Sequence, residues 1–290
     1  MENRATGSYE LAILPWGATE AHNVHLPYGT DTIESGFIAA EAARLAWEAG
    51  AKVVVLPTVP FGVNTGQLDI PLCLSMNPST QLALLQDLPV SLERAGVRKL
   101  VILNGHGGND FRAIIRELQP TTTLFFTLVN WYSMIDPKAY FTTPGDHAGE
   151  LETSVMMRVA PEIVHPLGEA GRGQARQFRV RGLREGWVWA PRKWTAVTND
   201  TGVGDPRGSS AEKGQRFVHA SRINWPNSLW SFRLRTPMSC INRSIPHLPT
   251  PYALCPVQSE CTQRLEIMKP RDEWNRTCRC FVVSRRHGDD

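Results

Sequence analysis

Cysteine is nearly missing from the first 220 residues of this chain. Cys73 stands alone there, while Cys240, Cys255, Cys261, Cys278 and Cys280 all fall after residue 221. One cysteine in so long a stretch argues against a disulfide framework and suits a reducing compartment. Long hydrophobic runs are missing too: none reaches the roughly 18 residues that a membrane-spanning helix requires. The opening stretch, MENRATGSYE, is polar and lacks the apolar segment of a signal peptide. The expected location is therefore the cytoplasm, with no membrane partner. A surplus of charge is also lacking, with a net +3 over 290 residues.

Even that surplus sits in one place. Residues 221–290 hold eleven Lys/Arg against six Asp/Glu, so the preceding 220 residues are slightly acidic. A basic tail on an acidic body is poor evidence for nucleic-acid binding, and the arginine-rich stretch from Arg172 to Arg192 is its only local support. No nucleic-acid partner is expected. The tail itself is atypical. Ser221-Arg-Ile-Asn-Trp-Pro226 stops any helix at its proline, and six more prolines and five cysteines follow without a sustained period of 3.6 or 2. Cys278-Arg-Cys280 lacks a well-spaced second pair. Residues 1–220 are expected to form the folded domain. Residues 221–290 are expected to be a disordered or loosely packed tail, of the kind a shifted reading frame produces.

What the body does contain is alternation. Leu11–Leu14, Lys52–Leu56, Lys99–Leu103 and Leu124–Val129 are short apolar runs of the kind buried in parallel sheets. Between and after them come helical patterns at Thr32–Ala49, Ser79–Ala95, Asp110–Leu118 and Glu150–Val159, the second kinked or split by Pro89. Such β-α-β-α order implies a mostly parallel sheet with helices on both faces. From Pro166 to Asp205 glycines alternate with arginines and tryptophans, which predicts long loops, with room for one β-hairpin. A further helix is expected to start at Ser209 or Ser210.

Chemistry clusters where strands end. "PWGATEAHNVHLPYGTDTIESG" packs Glu20, His22, His25 and Asp31 into twelve residues after the first strand. Glu20 and His22, two apart in an extended segment, face the same way. A carboxylate, an imidazole and a second carboxylate suit zinc, manganese or iron. His106 sits among glycines in Asn104-Gly-His-Gly-Gly-Asn109, and Asp146-His-Ala-Gly-Glu-Leu-Glu152 opens a helix. Each piece also has a plainer reading. Asp31 with Glu34 matches a helix N-cap and its capping-box partner, and Asp146 and His147 match a helix start. Trp131, Trp187, Trp189 and Trp194 are candidates for pocket lining or for core. In an open parallel sheet, ligands sit at the carboxyl ends of the strands, and the clusters fall at strand ends or helix starts.

Three motifs in order, Glu20-Ala-His22 through Asp31, Asn104–Asn109, and His147–Ser154, resemble those of the creatininase (creatinine amidohydrolase) family over roughly residues 8–218. The resemblance implies a three-layer α/β/α fold, two divalent metal ions, hydrolysis of an amide-type C–N bond in a small molecule, and a homohexamer. Carried over, Glu20 and His106 ligate one metal, His22 the other, and Asp31 bridges both. The glutamate that creatininase itself carries in the second motif is replaced here by Gly108. Glu152 is expected to take its place, with Glu150 as the second choice, and His147 to shuttle protons; His147 and Glu152 are the expected catalytic pair. Loss of the Tyr-Glu pair puts creatinine itself in doubt and leaves other amides, non-peptide or cyclic ones first, as substrates. His25 falls outside the ligand spacing and is expected to stand behind the site or in its wall. A metal-binding member without catalysis is the alternative.

Overall fold

The chain was described from a computed structural model, which covers residues 9–143 and 145–221. The expectations for the tail beyond 221, including the Cys278–Cys280 pair, lie outside the described residues. Four strands form one wholly parallel sheet in the order β2-β1-β3-β4: β1 (Leu11–Trp16), β2 (Val53–Val55), β3 (Lys99–Asn104) and β4 (Phe125–Asn130). The register of β1 on β3 runs from Leu11↔Lys99 to Trp16↔Asn104, so both strands end level with each other.

Alternation along each strand divides the core in two. Leu11 and Ile13 of β1 and Val101 and Leu103 of β3 point to one side. There they meet Ile38, Ala39, Ala42 and Ala46 of α1 (Thr30–Glu48), with Val155 of α4 (Glu150–Val159) and Phe217 of α7 (211–221) in the same cluster. Ala12, Leu14 and Trp16, with Leu100 and Ile102, point to the other side. They are covered by Leu85 and Leu92 of α2 (Pro78–Arg94) and by Phe111, Ile114 and Leu118 of α3 (Phe111–Leu118). Strands apolar on both faces need a helical layer on each side, and this is the three-layer α/β/α arrangement. Each fully buried Leu or Ile contributes roughly 1.5–3 kcal/mol.

Three local expectations are corrected. Pro89 does not split α2, which runs through it unbroken with the ring buried. The segment from 166 to 205 forms no hairpin; it carries two short helices, α5 (Arg181–Glu185) and α6 (Trp194–Val197), joined by loops. Asp31 does not cap α1. The cap position is Gly29, Thr30 already lies in the helix, and the Glu34 carboxyl receives no hydrogen bond. The first turn of the helix lies close against the chain just past β1. A Cβ on Gly17 would lie 2.5 Å from the Thr32 nitrogen, a contact only glycine permits.

Candidate metal centre

The carboxyl ends of β1 and β3 bring two motifs together, and the start of α4 closes the third side. Glu20, His22 and Asp31 are at most 2% exposed, and His106 and His147 are also buried. His22 Nε2 lies 2.9 Å from Asp31 Oδ1, and His106 Nδ1 lies 3.0 Å from Asp31 Oδ2. The two oxygens of one aspartate thus face different imidazoles. His106 Nδ1 is also 2.9 Å from Glu20 Oε1, and His22 Nε2 is 3.9 Å from Glu152 Oε2. Ligand atoms of Glu20, Asp31 and His106 lie within 4.8 Å of one another, as do those of His22, Asp31 and Glu152, and those of Glu20, His22 and His147.

The backbone fixes the tautomer of every imidazole here. His22 Nδ1 is 3.0 Å from the Glu20 carbonyl, His106 Nε2 is 3.1 Å from that of Val63, and His147 Nε2 is 2.7 Å from that of Ala21. A carbonyl only accepts, so each of these nitrogens carries the hydrogen. The opposite nitrogen of each neutral ring then turns a lone pair toward carboxylate oxygens: Asp31 for His22, Glu20 and Asp31 for His106, and Glu20 Oε1 at 3.7 Å for His147. Lone pair against carboxylate is repulsive without a cation between them. Histidines held by a backbone carbonyl at one nitrogen and free at the other are the usual support of a bound metal. Asp31 Oδ2, buried and receiving no hydrogen bond, offers a further unsatisfied ligand atom. The donor set therefore fits divalent cations.

Protons take that role when no cation is bound. Burial disfavours the His22 cation, but Asp31 outweighs it and raises the ring to about 10. His106 is likewise raised, by Glu20 and Asp31 against burial. Burial opposes the Asp31 anion, yet His22 and His106 hold its carboxyl well below the ordinary range. His147 behaves differently: burial, with His22 adding, lowers it, so its ring stays neutral. Burial, reinforced by Asp31, lifts Glu152 to about 7. Glu34, one turn after Asp31 on α1, is pushed well above the carboxylate range by burial and by Glu152 and Asp31.

The two candidate glutamates of the third motif part company. Glu152 turns into the cluster, its Oε2 accepting from the Ala148 N–H. Ala148 holds that position at φ +50°, a left-handed conformation that costs about 1 kcal/mol or more in a residue with a Cβ. Glu150 turns away. Its Oε2 accepts from Thr142 and Thr143 N–H at 2.8 and 2.7 Å, and its Oε1 pairs with Lys213 Nζ at 2.5 Å. Gly108 cannot carry a side chain, because a Cβ there would collide with both His106 Nε2 and the Val63 oxygen. His25 is buried but does not line the cavity. It ties the first motif to α4 through Thr153 Oγ1 at 2.8 Å, and burial lowers it to about 4.

A cavity of about 250 Å³ opens above the cluster. Glu20, Asp31, His106, His147 and Glu152 lie on its floor, Gly105, Gly107 and Gly108 on one wall, and Trp189, Arg192 and Trp194 on its rim. Trp194 packs on the His147 ring with centroids 4.6 Å apart, and Arg192 sits over Trp194 while pairing with Asp146 at 3.0 Å. Trp131 belongs to the core, 1% exposed against Phe217, and Trp187 is an exposed surface residue. No motif in the sequence points to Gln67, wholly buried, whose Nε2 donates to Glu20 Oε2. It lies 47 residues from Glu20, so only the fold reveals it.

Known proteins share this architecture. A candidate creatinine amidohydrolase from Bacteroides fragilis is 44% identical, with a TM-score of 0.77 over 80% of this chain and 93% of its own. The mycofactocin precursor peptide peptidase of Mycolicibacterium smegmatis is 26% identical over 221 residues, 74% of this chain and 81% of that protein. A zinc–zinc form of a mutant creatininase, 21% identical, shares the fold at a TM-score of 0.65 over 80% and 93% of the two chains. The family model for creatinine amidohydrolase matches residues 2–224, and the chain belongs to the creatininase family.

Proposed function

We propose that this creatininase-family protein hydrolyses an amide-type C–N bond at a centre for two divalent cations. The observation that supports it most is the set of three imidazoles, each pinned by a carbonyl and each presenting a lone pair to Glu20 or Asp31. Glu20, Asp31 and His106 would hold one ion and His22, Asp31 and Glu152 the other. The donors suit zinc, manganese or iron, with zinc first. Bound there, such ions supply Lewis acidity toward a carbonyl and lower the pKa of water toward about 7.

The chain's own residues do the rest. Asp31, whose two oxygens face different histidines, would serve both ions. His147, neutral and directed at the cluster through Nδ1, can take a proton released at the site and deliver it to the departing nitrogen. Trp194 packs at a tilt against that ring, with centroids 4.6 Å apart. Gly107, where an added Cβ meets nothing, leaves room for an amide close to the backbone, and Trp189 offers a face to whatever the amide carries. A short peptide stands beside the non-peptide or cyclic amides expected from the sequence as a candidate substrate. The M. smegmatis relative is named for a peptide substrate. Cytoplasmic location and a homohexamer complete the reading, the latter in keeping with the exposed apolar side chains Val24, Leu68, Leu72 and Leu74.

The test is hydrolysis of an amide panel, short peptides included, by purified protein before and after chelation. The expected result is loss with chelator and recovery on adding zinc or manganese. Hydrolysis indifferent to chelator would overturn the metal role. Full metal content with no turnover on any amide would favour a binding protein without catalysis.

A further inference from the structure

Glu20 Oε1 faces His106 Nδ1 at 2.9 Å and His147 Nδ1 at 3.7 Å, while its Oε2 faces away from them. Oε2 accepts from Gln67 Nε2, at the end of the 3-10 turn Thr65–Gln67 between β2 and α2. The other end of that amide is occupied too. Gln67 Oε1 lies 3.2 Å from Cys73 Sγ and 3.3 Å from the Ala21 nitrogen, and Ala21 N–H is also 3.2 Å from the sulfur. All these groups are buried.

We propose that Gln67 is the positioning residue that presents Glu20 as a metal ligand, and that Cys73 helps hold the Gln67 amide oxygen in place. The proposal rests on the reading of Glu20 as a ligand. Hydrogen-bond chemistry allows only one orientation of the amide. The Ala21 N–H only donates, so it must meet the amide oxygen, and the thiol, able to donate or accept, gives its hydrogen to that same oxygen. The Glu20 carboxylate only accepts, so it must meet the NH₂ group. A flipped amide would set oxygen against carboxylate and NH₂ against N–H. Held this way, Gln67 occupies one Glu20 oxygen and leaves the other for the cluster. The same amide oxygen accepts from the N–H of Ala21, the residue whose carbonyl, one peptide further on, receives His147 Nε2–H at 2.7 Å. One side chain thus sets a ligand and anchors the residue that orients the proton carrier. Cys73, the sole cysteine among the described residues, acts through Gln67 and touches no reacting atom.

The experiment is chelator competition with zinc on the purified full chain, together with melting of the metal-free protein. Gln67→Met keeps the length and removes both polar ends. Its zinc Kd should rise about 10–100-fold at one site, the scale for losing a group that supports a ligand, with the other site within about threefold. Gln67→Glu keeps the shape and sets a second carboxylate against Glu20. It should weaken the same site, and it gives the answer if Gln67→Met does not fold. Cys73→Ala should raise the same Kd a few-fold. Zinc affinities within about threefold of wild type in both Gln67 variants would overturn the proposal, and an unchanged Cys73→Ala would overturn the cysteine's part. Glu20→Gln, measured alongside, separates the two levels. If it loses zinc while the Gln67 variants keep theirs, this proposal alone fails. If it keeps zinc as well, the reading of Glu20 as a ligand fails with it.

Discussion

The floor of the cavity and its rim are built in opposite ways. On the floor, Glu20 follows β1, Asp31 lies in the first turn of α1 and His106 follows β3, all buried. The tautomer of each imidazole is set by a backbone carbonyl. On the rim, Trp189 is 84% exposed on a stretch with no strand and only short helices. It is strapped down by polar contacts at the surface: Arg192 on Asp146, and Thr195 and Lys193 on Asp69. Buried, carbonyl-backed groups give fixed geometry for chemistry, while loops over a rigid scaffold adapt to substrates. The proposed function therefore assigns the reaction to the floor and selection among amides to the rim.

The comparison breaks first at Glu152. Removing a ligand forfeits several kcal/mol of charge stabilisation, so Glu152→Gln should lower kcat by about 10³-fold. Its neighbour Glu150 sharpens the point. Glu150→Gln should leave metal content and kcat near wild type but lower Tm, because either Lys213 or the Thr142–Thr143 N–H groups then face an NH₂ in place of an oxygen. At this chain length each kcal/mol lost moves Tm by roughly 2–4 °C. Steady-state kinetics and thermal melts on the two variants check both statements, and a reversed pattern would exchange the roles of the two glutamates.

Next comes His147. His147→Ala should lower kcat about 10²-fold with metal content unchanged, as expected for a lost acid–base group. Loss of metal together with activity would make it a ligand instead. On the rim the effects shrink. Trp189→Ala should raise KM a few-fold and differ between amides while kcat holds, because an exposed ring contributes contact and no charge. A fall in kcat equal to that for His147→Ala would erase the division between floor and rim.

The smallest effect concerns pH. His25 is lowered to about 4 in the folded protein from an ordinary 6.5, because burial disfavours its cation. The folded state resists the proton that the unfolded chain accepts. This group therefore costs nothing above pH 6.5 and destabilises progressively as pH falls from 6.5 toward 4. Melting curves should show a steeper acid decline for wild type than for His25→Gln, and parallel declines would remove His25 from the account.

Much of this is legible in the sequence. Apolar runs mark all four strands to within a few residues, because strands buried on both faces need unbroken apolar sequence. The glycine at 108 marks a missing carboxylate, and the structure supplies the reason, since a side chain there collides with the His106 ring. Other features are not legible. Asp31 and Glu34 carry the spacing of a capping box, but α1 starts at Thr30 and buries both instead. Gln67 and Cys73 reach Glu20 only through the loop that follows β2, a contact that no local pattern encodes. Alternating glycine and tryptophan between 166 and 205 leave room for a hairpin. In the fold, the segment is held by side-chain bonds such as Asn23 to Gly171 at 2.9 Å, not by strand pairing.

The central claim is that the floor holds two cations bridged by Asp31. Its most direct test is the metal-to-protein ratio of wild-type protein and Asp31→Ala, loaded with zinc and desalted. The account predicts a ratio approaching two for wild type and near zero for the variant. A variant that retains the wild-type ratio would contradict it.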